Sequence, residues 1–237
     1  MLLAIDTSTS WISLALYDGF SVLYETTWQS QHHHTVELAP AIDQLFERTG
    51  TQPSALTGIA VAIGPGSFTS LRIGVAAAKG LALALKIPLV GVPSLDILAA
   101  AQPLDEIPLI AVLHAGRTRL AYVTYLVEGG AWHPQYEAEA IAASDLVKTI
   151  SAPTLIAGEL SEEARTVLGR RWKNAMLAPP ARCLRRAGYL AEIGWDRLMS
   201  DRVDDPVTLA PIYLSTVNTT PARSEERRVG KECRSRW

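Results

Sequence analysis

Three short constellations in the chain have residue types suited to chemistry. Gly64-Pro65-Gly66-Ser67 stands before an apolar segment of helical period. The first amides of a helix are unpaired and carry partial positive charge, so such a loop can cradle an anion. The Lys-Ser/Thr ending of a phosphate-binding P-loop is absent, and a plain strand-to-helix connection with Ser67 or Thr69 as cap accounts for the same residues. His32-His33-His34 invites a metal reading. A helical metal pair needs ligands four residues apart, and the positions four residues on are Val36, Glu37 and Leu38. The three histidines therefore read as an exposed loop cluster. Cys183 and Cys233 are too few for a disulfide framework and have no metal-ligand spacing, so both read as free thiols. Arg182 and Arg185 beside Cys183 favour a thiolate without making it a nucleophile. No Ser-His-Asp or Cys-His set can be assembled, and no residue is assigned as catalytic or metal-binding.

The elements that would position these residues follow from the hydrophobic pattern. Leu2–Ile5, Ile12–Tyr17 and Val22–Trp28 are runs of strand type. The Asp18-Gly19 pair between the last two predicts a hairpin, and the three together an antiparallel meander. The period then changes. Leu38, Ile42, Leu45, Phe46 and Thr49 share one helical face, and Pro40 is expected near the start of that helix or at a kink in it. Gly58–Ile63 reads as a buried strand, Phe68–Leu85 as a helix and Ile87–Val92 as a strand, with Ser94 able to cap a helix running to about Ala101.

After the polar stretch Gln102–Glu106 the pattern begins again. Strands are expected at Leu109–Leu113, Ala121–Val127 and Thr154–Ala157, and helices near Ser144–Ile150, Ser161–Leu168 and Arg185–Met199. Gly129-Gly130 reads as a hairpin turn. Two α/β units are expected, residues 1–103 and 104–222, in outline a duplicated fold.

Hydrophobic residues make up 48% of the 237 and charged ones 19%, the composition of a packed protein and not of a disordered one. The opening residues have no signal-peptide pattern, and the apolar stretch Val75–Leu85 is interrupted by Lys79 and shorter than the roughly 20 residues of a membrane span. A cytosolic protein is the expectation. Arg223–Trp237 breaks from the composition before it and resembles the conceptual translation of a short-read sequencing adapter; a fixed structure is not expected there. Without its six Lys/Arg and three Glu the chain keeps 16 basic and 21 acidic side chains, a net charge of −5. A body of that sign is a poor nucleic-acid binder on its own.

Four segments carry a resemblance together: Ala4-Ile5-Asp6-Thr7-Ser8; the run from Gly64 through Ser67-Phe68-Thr69-Ser70-Leu71-Arg72-Ile73 to Gly74; Lys79-Gly80-Leu81-Ala82; and Val92-Pro93-Ser94-Leu95. In this order and at these spacings the chain resembles the TsaB family of bacterial tRNA threonylcarbamoyladenosine biosynthesis proteins, within the superfamily of actin-like ATPases, sugar kinases and heat-shock chaperones. The resemblance is strong over residues 1–101 and weaker beyond. It implies two actin-like ATPase-type (ribonuclease-H-like) subdomains, each a mixed sheet with helices.

In that superfamily the turn after the first strand and a matching turn in the second domain grip a nucleotide phosphate and its magnesium. Asp6, Thr7 and Ser8 suit the first turn, since a carboxylate can hold hydrated magnesium and hydroxyls can reach phosphate; equally, Asp6 closes a tight turn with its own side chain. The second turn reads Leu113-His114-Ala115-Gly116-Arg117, where the family commonly has an acid and then a basic pair. The resemblance thus implies a vestigial nucleotide loop, no cofactor, and a non-catalytic subunit supporting the catalytic paralogue TsaD, with the ATPase subunit TsaE also in the complex and tRNA met only through it. An ATP-dependent small-molecule kinase of the same fold is the competing reading. The missing acid opposes it, as the missing His-x-x-x-His opposes a metal-dependent catalytic subunit.

The helix Phe68–Leu85 is apolar all round. Leu71, Val75, Ala78, Ala82 and Leu85 form the stripe expected on the sheet. Ile73, Ala76, Ala77, Gly80, Leu83 and Ala84 occupy the other side. With Leu38, Ile42, Leu45 and Phe46, which divide between core and interface, they are expected to form the partner surface, which an isolated chain can cover by pairing as a homodimer.

Overall fold

The computed structural model describes residues 1–31, 33–116, 118–170 and 173–214. The expectations placed on His32, Arg117, Cys233 and Arg223–Trp237 lie outside these residues.

The first unit opens with β1 (Leu2–Asp6), β2 (Trp11–Tyr17) and β3 (Val22–Gln29), paired antiparallel in sequence. The Asp-Gly turn between β2 and β3 is closed by the Asp18 carboxylate, which accepts from the amides of Phe20 and Ser21 at 2.8 and 2.7 Å. β4 (Gly58–Gly64) joins β1 in parallel and β5 (Leu89–Pro93) joins β4, giving the order β3-β2-β1-β4-β5. The strand β1 is buried on both faces. Leu3 and Ile5 face the helices α1 (His34–Thr49) and α2 (Phe68–Leu85), while Leu2 and Ala4 face the opposite way. Pro40 lies in the second turn of α1, which starts four residues earlier than the expected Leu38.

The second unit repeats this order. β6 (Leu109–Ala115), β7 (Arg119–Glu128) and β8 (Ala131–Pro134) are antiparallel, β10 (Thr154–Gly158) is parallel to β6, and β11 (Ala175–Leu177) is parallel to β10. The sheet runs β11-β10-β6-β7-β8, with β9 (Glu139–Ala142) also pairing to β7. Gly129 and Gly130 turn the β7–β8 hairpin with φ of 57° and 82°, the left-handed values that favour glycine in a two-residue hairpin turn. β4 and β10 occupy the same place in their sheets, and each ends on a glycine of positive φ, Gly64 and Gly158. The two mixed sheets make the chain an α/β protein of actin-like ATPase fold, and the duplicated outline is a duplication of strand order.

The helix closing each unit packs on the other unit's side of the molecule. α3 (Ser94–Ala100) sets Leu95, Leu98 and Ala99 against Leu109, Ala111 and Leu113 of the second sheet. α6 (Ala187–Met199) sets Ala187, Leu190 and Ala191 against Leu2, Ala4 and Ala60 of the first. The small residues allow a close approach, since a Cβ on Gly194 would lie 2.5 Å from the Ala60 Cβ. The sequence around 185–199 reads as part of the second unit, yet its apolar face belongs to the first. α4 (Ala143–Thr149) and α5 (Glu162–Gly169) cover the outer face of the second sheet. Residues 201–214 return along β5, where the Gly91 amide donates to Asp204 Oδ2 at 2.8 Å, and reach the end of β4, where the Ile212 amide donates to Ile63 O at 2.7 Å.

Ser94 does not cap α3. Its hydroxyl instead accepts from the Gly64 amide at 3.1 Å and shares a 2.6 Å hydrogen bond with the Ser8 hydroxyl.

Candidate functional site

The two helices α1 and α2 lie side by side on the first sheet, and an apolar groove of about 930 Å³ runs between them. Leu71, Val75, Ala78 and Ala82 of α2 are buried, with Leu85 half-buried at the end of the stripe. Ala76, Gly80, Leu83 and Ala84 are exposed and Ile73 and Ala77 half-buried. Leu38, Ile42 and Phe46 are buried and line the groove together with Ile73, Ala76, Ala77 and Gly80. Leu45 does not reach it: it is fully buried in the core. Leu83, 60% exposed, and Ala84 stand further round α2, outside the groove.

A Cβ on Gly80 would meet nothing within 4 Å. Among the described residues no packing therefore accounts for a glycine at that point, although glycine in a helix interior costs about 1 kcal/mol relative to alanine. By length and composition α2, with 18 residues, is long and apolar enough to cross a membrane. Its buried stripe faces the sheet, and Arg72 and Lys79 interrupt the remainder.

Sequence reasoning missed the lip of this groove. The Phe68 and Tyr213 rings stack with centroids 4.8 Å apart, and the Arg72 guanidinium lies 5.2 Å from the Phe68 centroid. Phe68, Arg72 and Ala76 are spaced four apart on one helical face, a signal the sequence did contain; the approach of Tyr213 from the chain's far end had none.

Around the turn after β1 the side chains of Asp6, Thr7 and Ser8 are all hydrogen-bonded within the chain. Asp6 Oδ1 accepts from the Ser8 amide at 2.7 Å, the tight turn that its type allows. Thr7 Oγ1 donates to Ser70 O at 2.7 Å, and Ser8 Oγ is taken by Ser94. Asp6, Thr7 and Ser8 are buried. Gly66 of the loop and Gly74 of α2 allow a close approach: a Cβ on Gly66 would lie 2.1 Å from Ser8 O, and one on Gly74 2.2 Å from Thr7 Oγ1. Ser67 is the N-cap residue by position but its side chain makes no cap bond; its amide donates to Ser8 O at 2.7 Å. These residues do not fit a magnesium nucleotide. Asp6 Oδ1 closes the turn, both hydroxyls are taken by Ser70 O and Ser94, the Ser67 and Gly64 amides are bonded within the chain, and His114, opposite in the second unit, is exposed and supplies no hard oxygen ligand.

The second Asp6 oxygen, Oδ2, accepts from Arg185 Nε at 2.9 Å. Arg185 is 1% exposed, and its other nitrogens donate to Glu159 Oε1 and to Thr9 Oγ1. Burial alone would lower its pKa, but Asp6 and then Glu159 outweigh burial and hold the guanidinium charged, above the usual arginine value. The sequence presented Arg185 only as one of several arginines after residue 180, with nothing to say that it points inward.

The histidine cluster divides. His33 stands exposed before α1, whereas His34 is buried in the first turn, its Nε2 donating to Thr9 O at 2.8 Å. The expectation of an exposed loop cluster is thus wrong for His34, because the helix begins at that residue and draws it inward. Among the described residues no group of three or more potential ligands could hold a metal ion. Cys183 is buried and free, its thiol aimed at the carbonyls of Ala178 and Pro179.

Residues 26–174 match a sequence-family model described as TsaD: tRNA N6-adenosine threonylcarbamoyltransferase. The tRNA threonylcarbamoyladenosine biosynthesis protein TsaB of Bacillus subtilis is 42% identical over 99 residues, 42% of this chain and 43% of that protein. The Escherichia coli TsaB is 32% identical over 149 residues, 62% of this chain and 64% of the relative. The match to each of these spans less than two thirds of the relative's length. Among solved structures, YeaZ from Pseudomonas aeruginosa superposes with a TM-score of 0.74 at 25% identity, covering 90% of this chain and 99% of that one.

Proposed function

The chain belongs to the TsaB (YeaZ) family, related to TsaD, and from that premise we propose that it is a non-catalytic cytoplasmic subunit of the complex that forms threonylcarbamoyladenosine on tRNA, docking through the α1–α2 groove onto the catalytic paralogue TsaD. The observation that carries this reading is the face of α2 formed by Ala76, Ala77 and Gly80. It is apolar, with Ala76 and Gly80 exposed and Ala77 half-buried between them, and among the described residues nothing stands within 4 Å of a Cβ on Gly80. Large exposed apolar surfaces mark interaction sites, and small residues four apart let helices approach closely.

A non-catalytic role is supported by the commitment of Asp6, Thr7 and Ser8 to internal hydrogen bonds. Contact with the ATPase subunit TsaE and with tRNA follows from membership of the complex, tRNA being met through it because the body carries excess negative charge. An isolated chain would cover the same groove by pairing with a second copy.

The test is to mix the purified chain with its own organism's TsaD and follow complex formation by light scattering, then measure threonylcarbamoyladenosine in tRNA from cells lacking the chain. A defined complex and loss of the modified nucleoside are expected. Absence of a complex, or turnover of ATP by the isolated chain, would sink the reading and favour a kinase of the same fold.

A further inference from the structure

Two carboxylates, one from each unit, share a single guanidinium out of contact with solvent. Asp6 ends β1 in the first sheet, and Glu159 follows β10 in the second. Arg185 reaches both, with Nε on Asp6 Oδ2 at 2.9 Å and Nη1 on Glu159 Oε1. Its Nη2 donates to Thr9 Oγ1 at 2.9 Å, and that hydroxyl donates onward to Glu159 at 2.9 Å. The turn is tied further on either side. Ser8 bonds Ser94 at the start of α3, the helix that packs on the second sheet, and Thr9 O accepts from His34 at the start of α1.

A buried charge persists only where it is paired and hydrogen-bonded. An arginine satisfies three acceptors at once in a fixed planar fork and does not lose its proton. The residues around the turn leave no place for a magnesium nucleotide, yet they still bring two acids from two units to one point.

We propose that Arg185 is a built-in cation that latches the two units together across the turn Asp6–Thr9, so that the junction is closed by the chain's own side chain and needs no nucleotide or metal. The latch also sets the position of the first turn of α1 through Thr9 and His34.

Hydrogen–deuterium exchange on the full chain carrying Glu159→Gln tests this, because the change keeps the side-chain shape and leaves Asp6 and Arg185 paired. Amides of residues 7–10 are expected to exchange at least tenfold faster than in the unaltered chain, while those of β4 and β5 keep their rates. Unchanged rates at 7–10 would overturn the latch. A second measurement titrates Mn²⁺ into Arg185→Ala. Without the guanidinium, Asp6, Glu159 and Thr9 present a hard oxygen set, so saturable Mn²⁺ binding should arise that the unaltered chain lacks and that adding Glu159→Gln removes. A folded Arg185→Ala that takes no Mn²⁺ would overturn the idea of a substituted cation, as would magnesium-ATP slowing exchange at 7–10 in the unaltered chain. Should Arg185→Ala fail to fold, the exchange result on Glu159→Gln decides alone.

Discussion

Gly74, in the second turn of α2, lies so close to Thr7 that a Cβ there would stand 2.2 Å from Thr7 Oγ1, the hydroxyl that donates to Ser70 O at 2.7 Å. The helix and the turn after β1 are therefore one packed unit, and the run from Gly64 to Gly74 is spaced for that contact. Gly74→Ala should destabilise the chain by about 1–3 kcal/mol in urea unfolding, the range for overpacking a close-packed site. In a Thr7→Ala background the same change should cost less, because the clashing atoms are gone and neighbouring substitutions are non-additive. Equal costs in both backgrounds would show that the contact is not the cause.

Gly80, two turns on, has the opposite surroundings. With nothing within 4 Å of its Cβ position, Gly80→Ala should stabilise the isolated chain by about 0.5–1 kcal/mol through backbone entropy alone. The same change should weaken docking onto TsaD by filling the space into which a second helix packs. Thermal unfolding of the isolated chain and calorimetry of the pair would read the two effects separately; a stabilised chain with undiminished affinity places the interface elsewhere.

Ala77→Glu puts a charge into the half-buried centre of the groove. An unpaired charge buried at an interface costs about 3–5 kcal/mol, so the partner Kd should rise at least about 100-fold, tenfold per 1.4 kcal/mol. The far-ultraviolet spectrum and the unfolding midpoint should stay close to those of the unaltered chain. Collapse of the fold, or normal binding, is the contrary result.

Asp96, in the first turn of α3, accepts from Tyr125 OH at 2.8 Å, with Arg197 Nη2 at 3.7 Å. Burial raises its pKa above the ordinary aspartate value, and the Tyr125 bond and Arg197 only partly oppose that. The folded state thus holds this proton more tightly than the unfolded state. Stability contributed by the protonated form is present below the unfolded aspartate pKa of about 3.9 and is lost as pH rises from there through the raised folded value. Asp96→Asn should remove a slope of at most about 1.4 kcal/mol per pH unit over that window. Urea unfolding at several pH values checks it; an unchanged slope would assign the pH dependence to other groups.

Local patterns reached most of the elements. The Asp18-Gly19 and Gly129-Gly130 hairpins, the helix Phe68–Leu85 and the buried stripe Leu71, Val75, Ala78, Ala82 were legible because turn chemistry and helical period act over a few residues. β9 and β11 were not, being three or four residues long and held by partners elsewhere in the chain. Ser94 looked like a cap because its position permits one, but the tertiary demand of Ser8 and Gly64 took its hydroxyl. His34 read as a loop residue because no cap residue marked the start of α1.

By itself the sequence determined the two α/β units, the family motifs, the absence of a metal-ligand spacing, and a helix too apolar to be covered on one side only. Those properties depend on residue type and period, which are written along the chain. Only the tertiary structure decided that α6 crosses to the first sheet, that Leu45 belongs to the core while Phe46 lines the groove, and that Asp6 is answered by Arg185. These are relations between groups far apart in sequence, 179 residues in the last case. No local pattern encodes such a pairing, because the attraction that offsets the cost of burying both charges exists only where the folded molecule brings them together.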